Sequence, residues 1–590
     1  MKSKSEILNI LKRDIISFAT VSGIVTTKPG VIERIDTEIP EFAVITTKSY
    51  QVNPNQGNRE PVIVEPEEGS FGNAVGLRNP GMDKGYEDLL TLRSKHPFTA
   101  VLNVSVSGNS VEEFITLVKK FEDVADIIEL NLSCPHAAGG YGMSIGTDPE
   151  IVYSYLKQIR EVTGTLLFPK LTPNVPAISE IALAAMEGGA DGITAINTVG
   201  PQLYIEPFSG EPVLKNSSGN RGGMSGRWVK EIALEKISEI RTAVGNNLPI
   251  IGMGGIETGK DIRNLRDAGA DVIGIGSVFA SVHPDNWKTF FTTLKLDAEH
   301  GKDIASVYRE KKRKMEYTPY KIMKITDLPG SVRVLELNGG LALDSSQFAF
   351  LWLPGIGEKP FSIVKGDPLT FIIRKKGKFT SAVMDLTEYD TIWVRGVYGK
   401  DSPDTDKNKV YISAGGTGLA VALSLAEKLF RQGKEVHTFY GMSRSGQIVL
   451  EEDFLKYGSF TAVTDQGKPG RVLDILKEKL AADKEECAHY SMGPLSFMKK
   501  AADLFTENGG KEEDLFLSIE TPTRCGVGLC GECECGGHLT CREGTFFSLA
   551  WLNKKNIDLK KLFFDYEPER IIIQLDTDLE EIAAVGKIAG

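Results

Sequence analysis

The stretch TRCGVGLCGECECGGHLTCREG, residues 523–544, carries five of the seven cysteines in the 590-residue chain. The other two, Cys134 and Cys487, stand alone. Five crowded cysteines do not resolve into disulfides, because one is always left over. From Cys525 to Cys530 to Cys533 the spacing is C-x4-C-x2-C, and Cys541 follows. That is the thiolate spacing of a plant-type 2Fe–2S cluster. Glycines 526, 528, 531, 536 and 537 let the backbone wrap closely and offer N–H groups to sulfur. A structural zinc site is the alternative, where thiolate pairs two residues apart are usual. The four-residue gap and the interleaved glycines favour iron–sulfur, with Cys535 as a spare thiol. A one-electron centre needs a group that feeds it and another that drains it, and the rest of the chain has to supply both.

Residues 40–300 alternate short β-rich runs with amphipathic helical runs. FAVITTK, GNAVGL, TAVLNVS, DIIELNLS, LLFPKLT, GITAINT, PIIGMGG and DVIGIGS are eight strand candidates. Helical patterns such as SVEEFITLVKKFEDVA lie between most of them. Eight βα units predict a (β/α)8 TIM barrel, and their even spacing favours closure over a doubly wound sheet. A barrel places its chemistry at the C-terminal ends of its strands. Those ends carry Lys48, Asn103, Cys134, Lys170, Asn197, Gly254, Gly255 and Gly276. Glycine-rich turns after the last two strands, GMGGIETG and GIGSVF, form this fold's usual phosphate cradle, where bare N–H groups face an anion. Cys134 lies just past the fourth strand in a glycine-rich loop. It is either a small buried hydrophobe or a thiolate base, acting across a flat substrate from a hydride acceptor. Asn79, Asn131 and Asn197 offer amide donors and acceptors that match a ring bearing imide groups.

The totals suit an enzyme of several domains. The length predicts roughly three to five of them. A net charge of −11 argues against a nucleic-acid partner. No apolar run reaches membrane-spanning length, so no membrane partner is expected. Lys12, Arg13 and Asp14 break the apolar stretch near the N-terminus, which is not a secretory signal. Few cysteines outside one cluster imply a reducing, cytoplasmic compartment.

NAVGLRNPG, ELNLSCPH, FPKLTPNV, INTVG, GGMSG, GMGGI and GIGSV, in that order, resemble the successive motifs of the class 1 dihydroorotate dehydrogenases. The resemblance covers nearly all of residues 1–300. It implies FMN at the barrel mouth, held by Lys48, Asn131, Lys170, Ile196, Gly226, Gly254, Gly255, Gly276 and Ser277. It implies a pyrimidine bound by Lys48, Asn73, Asn79, Asn131, Asn197 and Thr198, with Cys134 as catalytic base. A homo-oligomer is also expected from the family. One departure is His136, where the family commonly has asparagine. SCPH followed by GMSIGTDPE also resembles dihydropyrimidine dehydrogenase, which reduces uracil and thymine. That enzyme carries four-cysteine 4Fe–4S motifs, and this chain has none.

Beyond a charged linker, REKKRKMEY, short alternating runs through WVRGVYG predict a small antiparallel β-barrel. KVYISAGGTGLAVALSLAEKLFRQG then predicts a strand, a glycine turn and a helix, the layout of a dinucleotide site. Residues 325–550 resemble the electron-transfer subunit of class 1B dihydroorotate dehydrogenase, of the ferredoxin-reductase family. The resemblance implies FAD held by Lys359, Pro360, Phe361, Ser362 and Thr380, and a nicotinamide loop at Gly415, Gly416 and Gly418. Lys359 stands where that family has arginine, and lacks its planar fork. The usual proline after the glycine loop is absent, and Met492 replaces an expected cysteine.

The expected organisation is an FMN-binding barrel over 1–305, a linker over 306–325 and an FAD-binding β-barrel over 326–402. A nucleotide-binding α/β domain over 403–510 and a 2Fe–2S domain with a C-terminal tail over 511–590 follow. The expected metal ligands are Cys525, Cys530, Cys533 and Cys541. The expected activity is oxidation of dihydroorotate to orotate for pyrimidine synthesis, with electrons passing FMN, 2Fe–2S and FAD to an acceptor, NAD⁺. Its alternatives are a uracil-type dihydropyrimidine reductase and a non-catalytic electron-transfer or assembly protein.

Overall fold

Short apolar runs make eight parallel strands: Phe18–Thr20 (β1), Phe42–Thr46 (β2), Val101–Val106 (β3), Ile127–Asn131 (β4), Leu166–Lys170 (β5), Ile193–Ala195 (β6), Ile250–Met253 (β7) and Val272–Ile275 (β8). They pair in the order β1-β8-β7-β6-β5-β4-β3-β2, and β1 pairs with β2 to close the barrel. Every residue of β3, β4, β5, β7 and β8 is buried. Strands covered on both faces read as largely apolar runs without alternation, and polar exceptions such as Ser105, Asn131 and Lys170 lie toward their C-terminal ends. The computed structural model describes residues 2–11, 15–132, 145–310, 315–442, 449–464, 471–483 and 485–557.

The eighth barrel strand is not the one expected. Of GNAVGL, residues 72–77, only Gly72 and Asn73 lie in a strand, and that strand, Ser70–Asn73, belongs instead to a four-stranded antiparallel sheet with Ile63–Glu67, Arg221–Gly226 and Val199–Leu203. A Cβ on Gly72 would overlap the Tyr204 ring, so this sheet depends on that glycine. Its place in the barrel is taken by β1, whose three residues are too few to display a period.

The helices between strands bury one face. In Val111–Phe121, Phe114, Leu117, Val118 and Phe121 recur at helical spacing and are fully buried. Ser110 Oγ accepts the Glu113 N–H at 3.3 Å and starts the helix. At the N-terminal end of the barrel, Ile7 and Leu11 pack with Val101, Ile127, Leu166 and Val272. The short helix Lys4–Ile10 therefore covers that end, and the opposite end carries the cavity described below.

The chain forms two units, Met1–Tyr317 with Thr523–Arg542, and Thr318–Pro522 with Glu543–Gly590. Residues 511–590 are thus not one module: the cysteine loop belongs to the barrel unit, and its flanks belong to the other. In the second unit, seven antiparallel strands between Thr318 and Tyr398 form one sheet. A six-stranded sheet follows, in the order Ser459–Thr464, Glu435–Met442, Lys409–Gly415, Cys487–Met492, Leu515–Ser518 and Phe546–Ser548. Only the last pairing is antiparallel. The expected boundary at 510 thus falls inside this sheet, which takes strands from both sides of the cysteine loop. Among the described residues, no helix is long and apolar enough to cross a membrane.

Candidate functional site

The C-terminal ends of the barrel strands enclose a cavity of about 230 Å³. Val21–Ile24 follow β1, Lys48 and Ser49 follow β2, and Asn131 and Lys170 end β4 and β5. Ile196, Asn197 and Thr198 follow β6, Gly254 and Gly255 follow β7, and Gly276 and Ser277 follow β8. The antiparallel sheet adds Phe71, Asn73 and Met224–Gly226. All the residues expected to hold FMN therefore face one space. Of those expected to bind the pyrimidine, Lys48, Asn73, Asn131, Asn197 and Thr198 face it too. Asn79 does not line it. Its Nδ2 donates to Gln51 Oε1 and the Leu77 carbonyl, while its Oδ1 accepts from the N–H groups of Gln51 and Gly81. All four hydrogen-bonding positions of that amide are spent on holding the loop. Cys134 lies outside the described residues.

A chain of hydroxyls orients the amides. Ser105 Oγ donates to the buried Glu129 carboxylate at 2.9 Å and meets Ser49 Oγ at 2.9 Å. Asn131 Nδ2 donates to Ser49 Oγ at 3.2 Å, and Asn197 Nδ2 donates to Asn131 Oδ1 at 3.4 Å. Lys48 is buried, and among the described residues no hydrogen bond acts on its ammonium. Burial pushes its pKa down, and the nearby Glu532 carboxylate opposes that. A buried cation facing a cavity without an acceptor suits an anionic or carbonyl-bearing ligand. The glycine turns suit a phosphate. Gly226 has φ +80° and Gly255 φ +66°, and a Cβ on either would overlap backbone oxygen, of Gly69 and Gly226 respectively.

The cysteine loop forms one wall of this cavity through Arg524, Leu529, Cys530 and Glu532. Its backbone is pinned to the segment after β1. Val25 N–H donates to the Leu529 carbonyl at 2.8 Å, and Thr27 Oγ1 donates to the Cys530 carbonyl at 2.7 Å. Sequence reasoning missed Arg524 and Glu532 as wall residues, and nothing local marks them, since the barrel they face lies hundreds of residues away in the chain.

Within the loop, Cys525, Cys530, Cys533 and Cys541 are buried, and their thiols form a run of contacts, Cys530 to Cys525 to Cys541 to Cys533. Hydrogen bonds from the Cys530 and Cys541 thiols hold the Cys525 pKa well below the usual thiol range, and the Cys530 N–H adds to them at 3.5 Å. The Cys530 and Cys541 thiols are pushed up, first by those same bonds and then by burial. Cys535 takes no part in this run, and burial with the nearby Glu534 charge pushes its pKa up to about 12. Among the described residues, no three His, Cys, Asp or Glu side chains are already arranged to hold a single metal ion. A run of thiol pairs suits a binuclear cluster, in which each iron takes two thiolates.

In the second unit, Lys359, Pro360, Phe361 and Ser362 lie along the strand Gly357–Ser362. The Phe361 ring stacks on Phe379, at the start of the helix Lys378–Met384, with centroids 6.0 Å apart. Thr380 Oγ1 accepts from the N–H groups of Lys376 and Gly377, so its hydroxyl caps that helix. Gly415, Gly416 and Gly418 connect the strand Lys409–Gly415 to the helix Leu419–Arg431. Sheet order reverses between Lys409–Gly415 and Cys487–Met492, and dinucleotides bind at such a switch point. Met492 is buried, and Gly493 with Pro494 approaches Gly415 at the crevice.

A closed eight-stranded parallel barrel, with glycine turns after its last two strands and a mouth of buried cations and amides, defines a protein of the TIM-barrel class. The dihydroorotate dehydrogenase family profile matches residues 16–295. The chain is 41% identical over 256 residues to the protein named dihydroorotate dehydrogenase B (NAD(+)), catalytic subunit, of Pyrococcus abyssi; the match covers 43% of this chain and 81% of that one. The like-named protein of Methanocaldococcus jannaschii is 42% identical over 234 residues, covering 40% and 74%. That of Bacillus cereus is 37% identical over 236 residues, covering 40% and 73%. The chain belongs to the dihydroorotate dehydrogenase family and is an oxidoreductase.

Proposed function

We propose that the chain oxidises dihydroorotate to orotate, with FMN in the barrel cavity and a 2Fe–2S cluster on Cys525, Cys530, Cys533 and Cys541. One observation carries this reading: Cys530 and Leu529 line the same cavity as Lys48, Lys170 and Asn197. A one-electron centre on this loop would adjoin the hydride acceptor. When bound, FMN would take the hydride, the cluster would relay single electrons, and FAD would gather two for the final acceptor. The chain's own groups do the rest. Lys48 and Lys170 place positive charge beside the flavin, and Gly226, Gly254, Gly255, Gly276 and Ser277 cradle its phosphate. Asn73, Asn131, Asn197 and Thr198 hold the pyrimidine ring, and Cys134 accepts the proton lost beside the departing hydride. FAD lies along Lys359–Ser362, and NAD⁺ docks at Gly415–Gly418. The cofactor in the relatives' names supports that choice of acceptor.

The test is anaerobic mixing with dihydroorotate while flavin absorbance is followed. Bleaching by dihydroorotate, and recovery on adding NAD⁺, are expected. No bleaching, with uracil instead reoxidising flavin that NADPH has reduced, would reverse the substrate reading. Cys134→Ala should keep FMN and slow bleaching by about 10²-fold or more, the usual scale for losing a general base. Near-normal bleaching in that variant would reject the role.

A further inference from the structure

Two arginines flank the four-thiol set, Arg524 directly before Cys525 and Arg542 directly after Cys541. Arg524 is buried, with Nε donating to Glu60 Oε1 at 2.6 Å and Nη2 to the Asn58 carbonyl at 2.7 Å. Its remaining nitrogen, Nη1, is buried without an acceptor among the described residues. The Arg542 side chain is 9% exposed, and its Nη2 donates to Glu310 Oε1 at 2.6 Å. Its Nε is likewise buried without an acceptor. The aliphatic stem of Arg542 lies over Gly528, where an added Cβ would come within 3.1 Å of Cγ. Gly528 sits in the turn between Cys525 and Cys530. Arg542 thus packs on the loop that wraps the thiols, and Arg524 joins that loop at Cys525 while lining the barrel cavity. Unpaired buried donors are rare, and each calls for a partner. Two of them on the two residues that bracket one set of thiols point to a single anionic group.

We propose that Arg524 and Arg542 are positioning residues for the iron–sulfur cluster: their unpartnered N–H groups donate to its sulfur atoms, and together with their fixed charges raise its reduction potential. The inference rests on the cluster reading above. On reduction one electron enters, no covalent bond or proton changes place, and negative charge on the sulfur atoms grows. Hydrogen bonds to sulfur and nearby cations favour that more negative state. A guanidinium keeps its charge at every working pH, so its effect persists. Glu60 and Glu310 occupy only part of each fork. The loop's own carboxylates are engaged elsewhere, Glu532 with Arg78 at 3.5 Å and Glu534 with the Gly537 N–H at 2.7 Å. A raised potential lets a reduced flavin in the adjoining cavity pass its electrons outward.

The test is a redox titration of the anaerobically purified full chain, followed by electron paramagnetic resonance. Arg524→Met and Arg542→Met keep stem length and remove both donor and charge. Each should shift the one-electron equilibrium at least tenfold toward the oxidised cluster, a fall of about 59 mV. Arg524→Lys and Arg542→Lys should recover part of it. An unchanged potential in both methionine variants, with iron retained, overturns the inference and leaves the cluster reading intact. Should those variants lose iron, the wild-type chain carrying nitrogen-15 arginine decides. A hyperfine coupling from arginine nitrogen to the reduced cluster is expected, and its absence overturns the inference. Iron-free wild-type protein overturns the cluster reading and this inference with it.

Discussion

Lys48 shows how a single residue can be costly in the fold and useful in the site. Its ammonium is buried at the cavity wall, and among the described residues no hydrogen bond acts on it. Burying a charge without a partner is unfavourable, so Lys48→Met should raise the melting temperature of flavin-free protein. The same change should weaken FMN binding by about tenfold or more, as expected for a lost charge-assisted hydrogen bond. Parallel losses of stability and affinity would contradict that reading. The thiols make a second residue-scale case. Cys541 contacts Cys525 and Cys533, whereas Cys535 stands outside the run. Cys535→Ser should keep iron and the visible cluster spectrum, while Cys541→Ser should lose both. Metal analysis of the two variants decides, and the reverse pattern would show a wrong ligand set.

At the scale of elements, the six-stranded sheet carries an acid-sensitive spot. His489, in the strand Cys487–Met492, is fully buried, and its Nε2 meets Ser413 Oγ at 2.8 Å. Ser413 Oγ donates its own proton to Ser491 Oγ at 2.9 Å, so the imidazole carries its hydrogen on Nε2. Nδ1 is buried without a partner, and burial pushes the pKa down to about 3. Protonation therefore favours the unfolded chain, in which this group keeps its ordinary value near 6.5. The stability from keeping His489 neutral is complete above about pH 6.5. It is lost as pH falls toward about 3, by at most about 1.4 kcal/mol per pH unit. Urea midpoints of this unit at pH 7 and pH 5 should differ less in His489→Gln than in wild type. An equal pH dependence in both would assign the acid sensitivity to other groups.

At the scale of the whole molecule, the chain leaves the barrel unit at Tyr317 and returns to it only for Thr523–Arg542. The returning loop is held by the Val25 and Thr27 contacts and by Arg34 Nη1, which donates to the Gly537 carbonyl at 3.2 Å. Metal binding to a loop couples to the order of whatever the loop rests on. Iron removal should therefore raise hydrogen exchange in residues 21–34 and 523–542 more than in the seven-stranded sheet of the second unit. Exchange increases confined to Thr318–Pro522 would show that the loop is anchored elsewhere. The paths from the barrel to the loop and back give these contacts sequence separations near 500 residues, a long closure to make in folding.

Local chemistry was legible in the sequence. Seven of the eight barrel strands, the cations and amides at their ends, the glycine turns after β7 and β8 and the cysteine spacing are all set by residue type over a few positions. Period, turn chemistry and ligand spacing act at that range. The tertiary structure decided what depends on distant surfaces meeting. It replaced GNAVGL by Phe18–Thr20 as a barrel strand, because closure is settled by which edge can pair with both β2 and β8. Asn79 went to loop-holding bonds rather than to the cavity, because its neighbours Gln51, Leu77 and Gly81 together satisfy the whole amide. It also moved the cysteine loop onto the barrel and gave its flanking strands to the nucleotide-type sheet. Arg524, Arg542 and Glu532 acquired their surroundings only through that docking, since the groups they meet are far off in the chain and no pattern along it brings them together.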